Sequence, residues 1–269
     1  MNLVGRMLWT PVILAGALAL NACGREERTA AWSTPAAPPA PDAAEAAYTA
    51  PPSVSAIEST AAGLRLSGKA ASGARVRLGA PTGETLFATA DGEGRWTIIA
   101  PRSEEPRLFG LSMTQNDRTV QAEGYVLITP TGAAAMLRAG AGADVVAGAG
   151  ARPRILAVDY DQEGGAVISG LAVADTPLEL RVDGVTRGQG EADAKGRFSL
   201  PLSRPLEPGS YEIVAAGQGG EDSVRLAVAA VGPLQSGPFQ GERAPRGWRI
   251  DWMTPAGGVQ TTVVMEDGA

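Results

Sequence analysis

Shifting the chain along itself by 102 residues brings two stretches into gapless register, and this repeat restricts the fold more than any other feature. Leu66, Ser67 and Gly68 fall on Ile168, Ser169 and Gly170, and Val76 and Leu78 fall on Leu178 and Leu180. In the clearest block, Asp91, Gly94, Arg95, Trp96 and Ile98 overlay Asp193, Gly196, Arg197, Phe198 and Leu200, and the same offset places Phe109 on Tyr211 and Leu111 on Ile213. Within each copy apolar residues alternate, as in Val76 and Leu78, Trp96 and Ile98, or Leu178, Leu180 and Val182. Period two puts successive side chains on opposite faces of a strand. Asp183 and Gly184 mark a hairpin turn, Asp193 to Gly196 mark another, and no long helical periodicity occurs from residue 52 onward.

The expected fold is therefore all-β, with two tandem Ig-like β-sandwiches at 53–138 and 153–232. A Gly/Ala-rich segment at 139–152 reads as a flexible linker that lets the two reorient, and 233–269 as a C-terminal loop and β-hairpin. The second unit resembles the bacterial Ig-like modules of envelope proteins, including those that accompany peptidoglycan-binding LysM domains. The resemblance rests on Asp193, Lys195, Gly196, Arg197, Phe198 and Leu200, followed by Leu206, Pro208, Gly209, Tyr211 and Ile213, and covers about residues 153–231. The first unit keeps the Asp, Gly, Arg, Trp core and joins the resemblance through the repeat. An extracytoplasmic adhesive or spacing role is implied, with no catalytic residues attached.

Three further segments suggest sites. Gly140, Gly142, Gly148 and Gly150 look superficially like a nucleotide loop, but a phosphate loop needs a strand before it and a helix after it, so a linker is favoured. Asp159, Asp161, Glu163 and Gly164 resemble the start of an EF-hand calcium loop; Gly170 stands where the closing Glu belongs, so a solvated strand edge is the better reading and no metal site is expected. Trp248, Ile250 and Trp252 alternate on one strand, Pro255 to Gly258 turn the chain, and Val259, Thr261 and Val263 return, making an aromatic hairpin. Trp248 and Trp252 on one face are a candidate docking surface for glycan or protein, but the favoured reading is that this face covers the open edge or bottom of the second sandwich. A weaker hairpin runs from Tyr125 to Leu137 around Pro130 to Gly132.

At the other end of the chain, residues 1–22 read as a signal peptide: Arg6 precedes an apolar stretch from Met7 to Leu20 that is too short to span a bilayer. Leu20, Asn21, Ala22 and Cys23 resemble the lipobox of bacterial lipoproteins, with Asn21 the departure from its usual pattern. The resemblance implies lipid attachment at Cys23, with acyl chains holding the protein on a membrane. Gly24 follows the cysteine where an Asp would imply inner-membrane retention, so the expected location is the outer membrane, facing the periplasm. From Cys23 to residue 52 the chain is Pro- and Ala-rich and reads as a disordered, semi-rigid tether reaching about 3.1 Å per residue where extended.

Composition narrows the chemistry. The chain has no histidine, one cysteine, and Lys69 and Lys195 as its only lysines, neither in a recognised motif. His-based acid–base catalysis, Ser/His/Asp and Cys/His nucleophiles and the usual zinc and haem sites are thereby removed, and no cofactor is expected. A net charge of −6 disfavours nucleic acid. The reading that fits is a membrane-anchored, non-catalytic binding or scaffolding module whose partner is another envelope protein or peptidoglycan. The alternatives are a glycan hydrolase using a carboxylate pair, or a passive spacer or assembly factor of a surface machine.

Overall fold

The computed structural model describes residues 48–148 and 150–266. Cys23, the leader and the tether as far as residue 47 lie outside the described residues. Every regular element described is a β-strand, and no helix among the described residues is long and apolar enough to cross a membrane.

The first sandwich is built from β1 (Ser53–Thr60), β2 (Gly63–Lys69), β3 (Arg75–Gly79), β4 (Thr85–Thr89), β5 (Arg95–Ala100), β6 (Arg107–Gln115) and β7 (Arg118–Ile128), with β8 (Ala134–Arg138) and β9 (Gly142–Val145) added. Its two antiparallel sheets run β1-β2-β5 and β4-β3-β6-β7-β8-β9. The second sandwich uses β10 (Arg154–Asp161), β11 (Ala166–Leu171), β12 (Pro177–Val182), β13 (Val185–Glu191), β14 (Arg197–Pro201), β15 (Gly209–Gly217) and β16 (Gly220–Val228), followed by β17 (Phe239–Ala244), β18 (Gly247–Met253) and β19 (Val259–Met265). Its sheets run β13-β12-β15-β16 and β14-β11-β10-β19-β18-β17. Without the added strands the two units are wired alike, three strands against four: β1-β2-β5 faces β4-β3-β6-β7, as β10-β11-β14 faces β13-β12-β15-β16. Both are Ig-like sandwiches.

Matching residues produce matching irregularities. The first strand pair of each unit carries a bulge, between Val54 and Ala56 and between Ile155 and Ala157. Opposite each bulge is a glycine that the neighbouring aromatic requires: a Cβ on Gly68 would lie 2.6 Å from the Trp96 ring, and one on Gly170 would lie 2.8 Å from the Phe198 ring. The 102-residue offset does not hold everywhere. Val76 faces Met113, yet Leu178 faces Gly217, two residues beyond the counterpart Ala215. A slip of two keeps side-chain parity, so Leu178 and Leu180 still point inward.

Three apolar cores separate four sheet layers. One fills the first sandwich around Leu66, Leu78, Trp96, Phe109 and Leu111, and another fills the second around Val158, Tyr160, Ile168, Leu180 and Phe198. The third lies between the sandwiches, where Leu108, Leu127, Leu137 and Ala143 of the first meet Ala157, Ile250, Trp252 and Val264 of the second. Strands β10 and β19 are buried on both faces, so their sequences lack clean alternation.

Two expectations change. The segment 139–152 contains β9, which pairs with β8 and extends the first unit's sheet. Its small residues allow close approach: a Cβ on Gly142, at φ 80°, would come within 2.7 Å of Ser169 Oγ, Ser199 Oγ and Val167 Cγ1. The C-terminal hairpin is the outer part of a three-strand extension, and β19 pairs with β10 from Ala157↔Val264 to Asp161↔Gln260.

The seam between the sandwiches as candidate functional site

The seam is organised around two carboxylates and a guanidinium. Asp193 opens the β13–β14 turn, where its Oδ1 accepts from the backbone N–H of Lys195 at 2.8 Å and of Arg197 at 2.9 Å. Its Oδ2 accepts from Arg197 Nη2 at 3.0 Å. The first unit builds the same turn: Asp91 Oδ1 accepts from Glu93 N at 2.8 Å and Arg95 N at 2.9 Å, and Oδ2 from Arg95 Nε at 3.0 Å. The units differ in what the arginine does next. Arg95 turns back to Glu93 in its own loop, whereas Arg197 Nη1 reaches Asp144 of β9, at 2.7 and 2.9 Å to its two oxygens. One guanidinium therefore ties together the turn of one sandwich and the edge strand of the other.

Deeper in the seam, Asp159 on β10 is 1% exposed. Its Oδ2 accepts from Ala143 N–H of β9 at 2.9 Å, and its Oδ1 accepts from Thr262 Oγ1 of β19 at 2.5 Å and, at a longer 3.5 Å, from Gln260 Nε2. Trp252 Nε1 in turn donates to Thr262 Oγ1 at 3.0 Å, and Gly140 N–H donates to Gln260 Oε1 at 3.1 Å. Burial pushes the Asp159 carboxyl up to about 6, against the opposing pull of the Thr262, Ala143 and Gln260 hydrogen bonds and the charge of Arg138. Nearby, Ser199 Oγ donates to the Ala141 carbonyl at 2.7 Å, and Thr131 on the β7–β8 turn donates to the Glu266 carboxylate.

A cleft of about 340 Å³ opens where β9 passes β14, lined among others by Arg138, Asp144, Glu191, Asp193, Arg197 and Ser199. Asp144 and Asp193 share Arg197. Burial opposes ionisation of Asp193, but the N–H groups of Arg197 and Lys195 and the Arg197 guanidinium outweigh it and hold the carboxyl below its ordinary range. A glycosidase pair needs one carboxyl kept protonated as the acid, and Asp193 is tuned the opposite way.

The residues singled out in sequence fall in mixed places. Trp252 is 0% exposed, edge-on to Tyr125 with ring centroids 5.8 Å apart. Trp248 is half-buried against the same core, with the Arg243 guanidinium 5.2 Å over its ring. The two indoles thus form part of the inter-sandwich core and are not a docking surface, because Leu108 of β6, Tyr125 and Leu127 of β7 and Leu137 of β8 pack into the same cluster. Asp159 belongs to a central strand and not to a solvated edge; Asp161 instead caps its own turn, accepting from Gly165 N–H at 2.8 Å. Among the described residues no group of three or more Asp, Glu, His or Cys side chains is placed to hold a metal ion. Sequence reading missed Asp144, Arg197 and the Asp159 network. Its one available signal was the polar run Gln260, Thr261, Thr262 within an otherwise apolar strand.

No family model matches the chain, and no curated protein matches it. Among solved structures it is similar to the BSP domain of a biofilm associated protein, at 13% identity and a TM-score of 0.25, over 68% of this chain and 30% of that one. It is also similar to the central fibronectin-III array of RIM-binding protein, at 13% identity and a TM-score of 0.25, over 80% of this chain and 89% of that one. The chain thus spans less than a third of the first of these structures.

Proposed function

We propose that the chain is a non-catalytic binding or scaffolding module of a bacterial envelope, held on the outer membrane by lipid on Cys23 and carried on its proline-rich tether. The observation that supports this reading best is the seam itself. Two sandwiches that share an apolar core and a polar network form a block suited to presenting fixed surfaces to a partner, and two carboxylates of their cleft, Asp144 and Asp193, are committed to Arg197. The partner in this reading is an envelope protein or peptidoglycan, engaged from the outer faces of the block.

Two measurements test it. The intact mass of the protein from its native membrane should show loss of residues 1–22 and added acyl mass on Cys23; an unprocessed Met1 or a bare thiol removes the anchor. Photocrosslinking in cells from the exposed positions Phe87, Val185 and Met253 should capture a defined envelope component from at least one face. Capture from none of them would leave a passive spacer in place of a binding module.

A further inference from the structure

Asp159 stands out from the rest of the seam because no countercharge is in contact with its carboxyl. It lies on a strand paired on both sides, it is sealed from solvent, and among the described residues it makes no ion pair. What meets it are neutral donors from three directions: the β9 backbone, and Thr262 and Gln260 of β19. The charged groups on the facing elements are few. Arg138 at the end of β8 acts at a distance, and Asp144 on β9 is occupied by Arg197 on β14. In the adjoining cleft Asp193 is held by the same arginine and Glu191 lies at the rim. The neighbours on β11, β18 and β19 are Val167, Trp252, Gln260 and Thr262, all uncharged, and Arg249 and Asp251 pair with each other on β18.

This arrangement couples a proton to a contact between domains. Lifting the β8–β9 hairpin off the second sandwich removes the Ala143 N–H and admits water to the carboxyl; seating it again strips that water away. We propose that Asp159 is a proton-operated latch, closed most firmly when its carboxyl is protonated and loosened when it ionises. The direction follows from linkage. The closed form holds the proton with a pKa of about 6 against an ordinary carboxyl value of 3.8, so the extra stability is complete below about pH 4 and is lost as pH rises through about 6. Because each unit of displacement is a factor of ten, the opening equilibrium should grow by roughly tenfold between pH 5 and pH 7.5. The latch is independent of the anchor and of any partner.

Amide hydrogen exchange on the full chain, corrected for the intrinsic pH dependence of exchange, reads the opening directly. The expected result is that protection at Ala143 and its β9 neighbours falls about tenfold from pH 5 to pH 7.5 while Leu66, inside the first sandwich, shows no such trend. Asp159→Asn should abolish the slope. Thr262→Val, which keeps the carboxyl but removes its shortest hydrogen bond, should move the midpoint to higher pH, a displacement that a merely structural role would not produce. Carboxyl carbon NMR of the unaltered chain supplies a reading that needs no variant. Titration of Asp159 near pH 4, or a β9 slope that survives in Asp159→Asn, would overturn the proposal.

Discussion

Arg95 and Arg197 occupy equivalent places in equivalent turns, yet only the second holds the molecule together, and single substitutions should separate the two roles. Glu93→Ala removes an exposed partner from Arg95 and should change unfolding stability by less than about 0.5 kcal/mol. Asp144→Ala removes a two-oxygen contact between sandwiches, but Arg197 and Asp144 remain about one-third exposed, so solvent screening holds the expected cost to about 1 kcal/mol in chemical denaturation. Gly142→Ala should cost more, about 1 to 3 kcal/mol, because its φ is 80° and the new methyl meets three side-chain atoms at 2.7 Å. At this scale sequence shows the Asp–Gly–Arg turn plainly, since both copies spell it. It conceals the partner of Arg197, because Asp144 sits in a Gly/Ala run with no pattern of its own. It likewise conceals Asp159, whose neighbours Thr262 and Gln260 come from the far end of the chain.

Among the elements, those buried on one face were the legible ones. β2, β3, β5, β12 and β14 alternate apolar and polar residues, and the repeat confirms them in pairs. The hairpins at β7–β8 and β18–β19 were readable from their turn residues. β9 was not, since a strand of Gly, Ala, Asp and Val looks like a connector until it is seen pressed against Ser169 and Ser199. Nor was the covering of the Trp face, because alternation says which side of a strand is apolar and not what lies against it. The C-terminal extension carries a prediction of its own. Removing residues 233–266 would strip β19 from β10 and leave an unpaired, apolar edge beside the exposed inter-sandwich core. Such an edge is a template for pairing with another chain, so the truncated protein should self-associate in size-exclusion chromatography and bind a hydrophobic dye. A truncated protein that stayed monomeric and bound no dye would show that this extension is not what closes the sheet.

For the molecule as a whole, four stacked sheets with three cores imply a single rigid body over the two sandwiches. Spin labels at Phe87 on β4 and Val185 on β13, both exposed, should give one narrow distance distribution by pulsed electron resonance. A broad distribution would mean that the linker reading of 139–152 describes the molecule better than the seam does. Trp252→Ala should weaken this body directly, by about 3 to 5 kcal/mol, because it empties the centre of the third core.

The pairing of β10 with β19 also constrains how the protein is made. Thr262 follows Asp159 by 103 residues, so a chain that emerges from a ribosome or translocon N-terminus first exposes β10 long before its permanent neighbour exists. The first sandwich has all the strands of its own two-sheet core by residue 128 and can fold on emergence. The second has its own seven strands by residue 228 but keeps a vacant strand position beside β10 until β19 is released. During that interval β10 offers an open edge that another chain's strand could pair with.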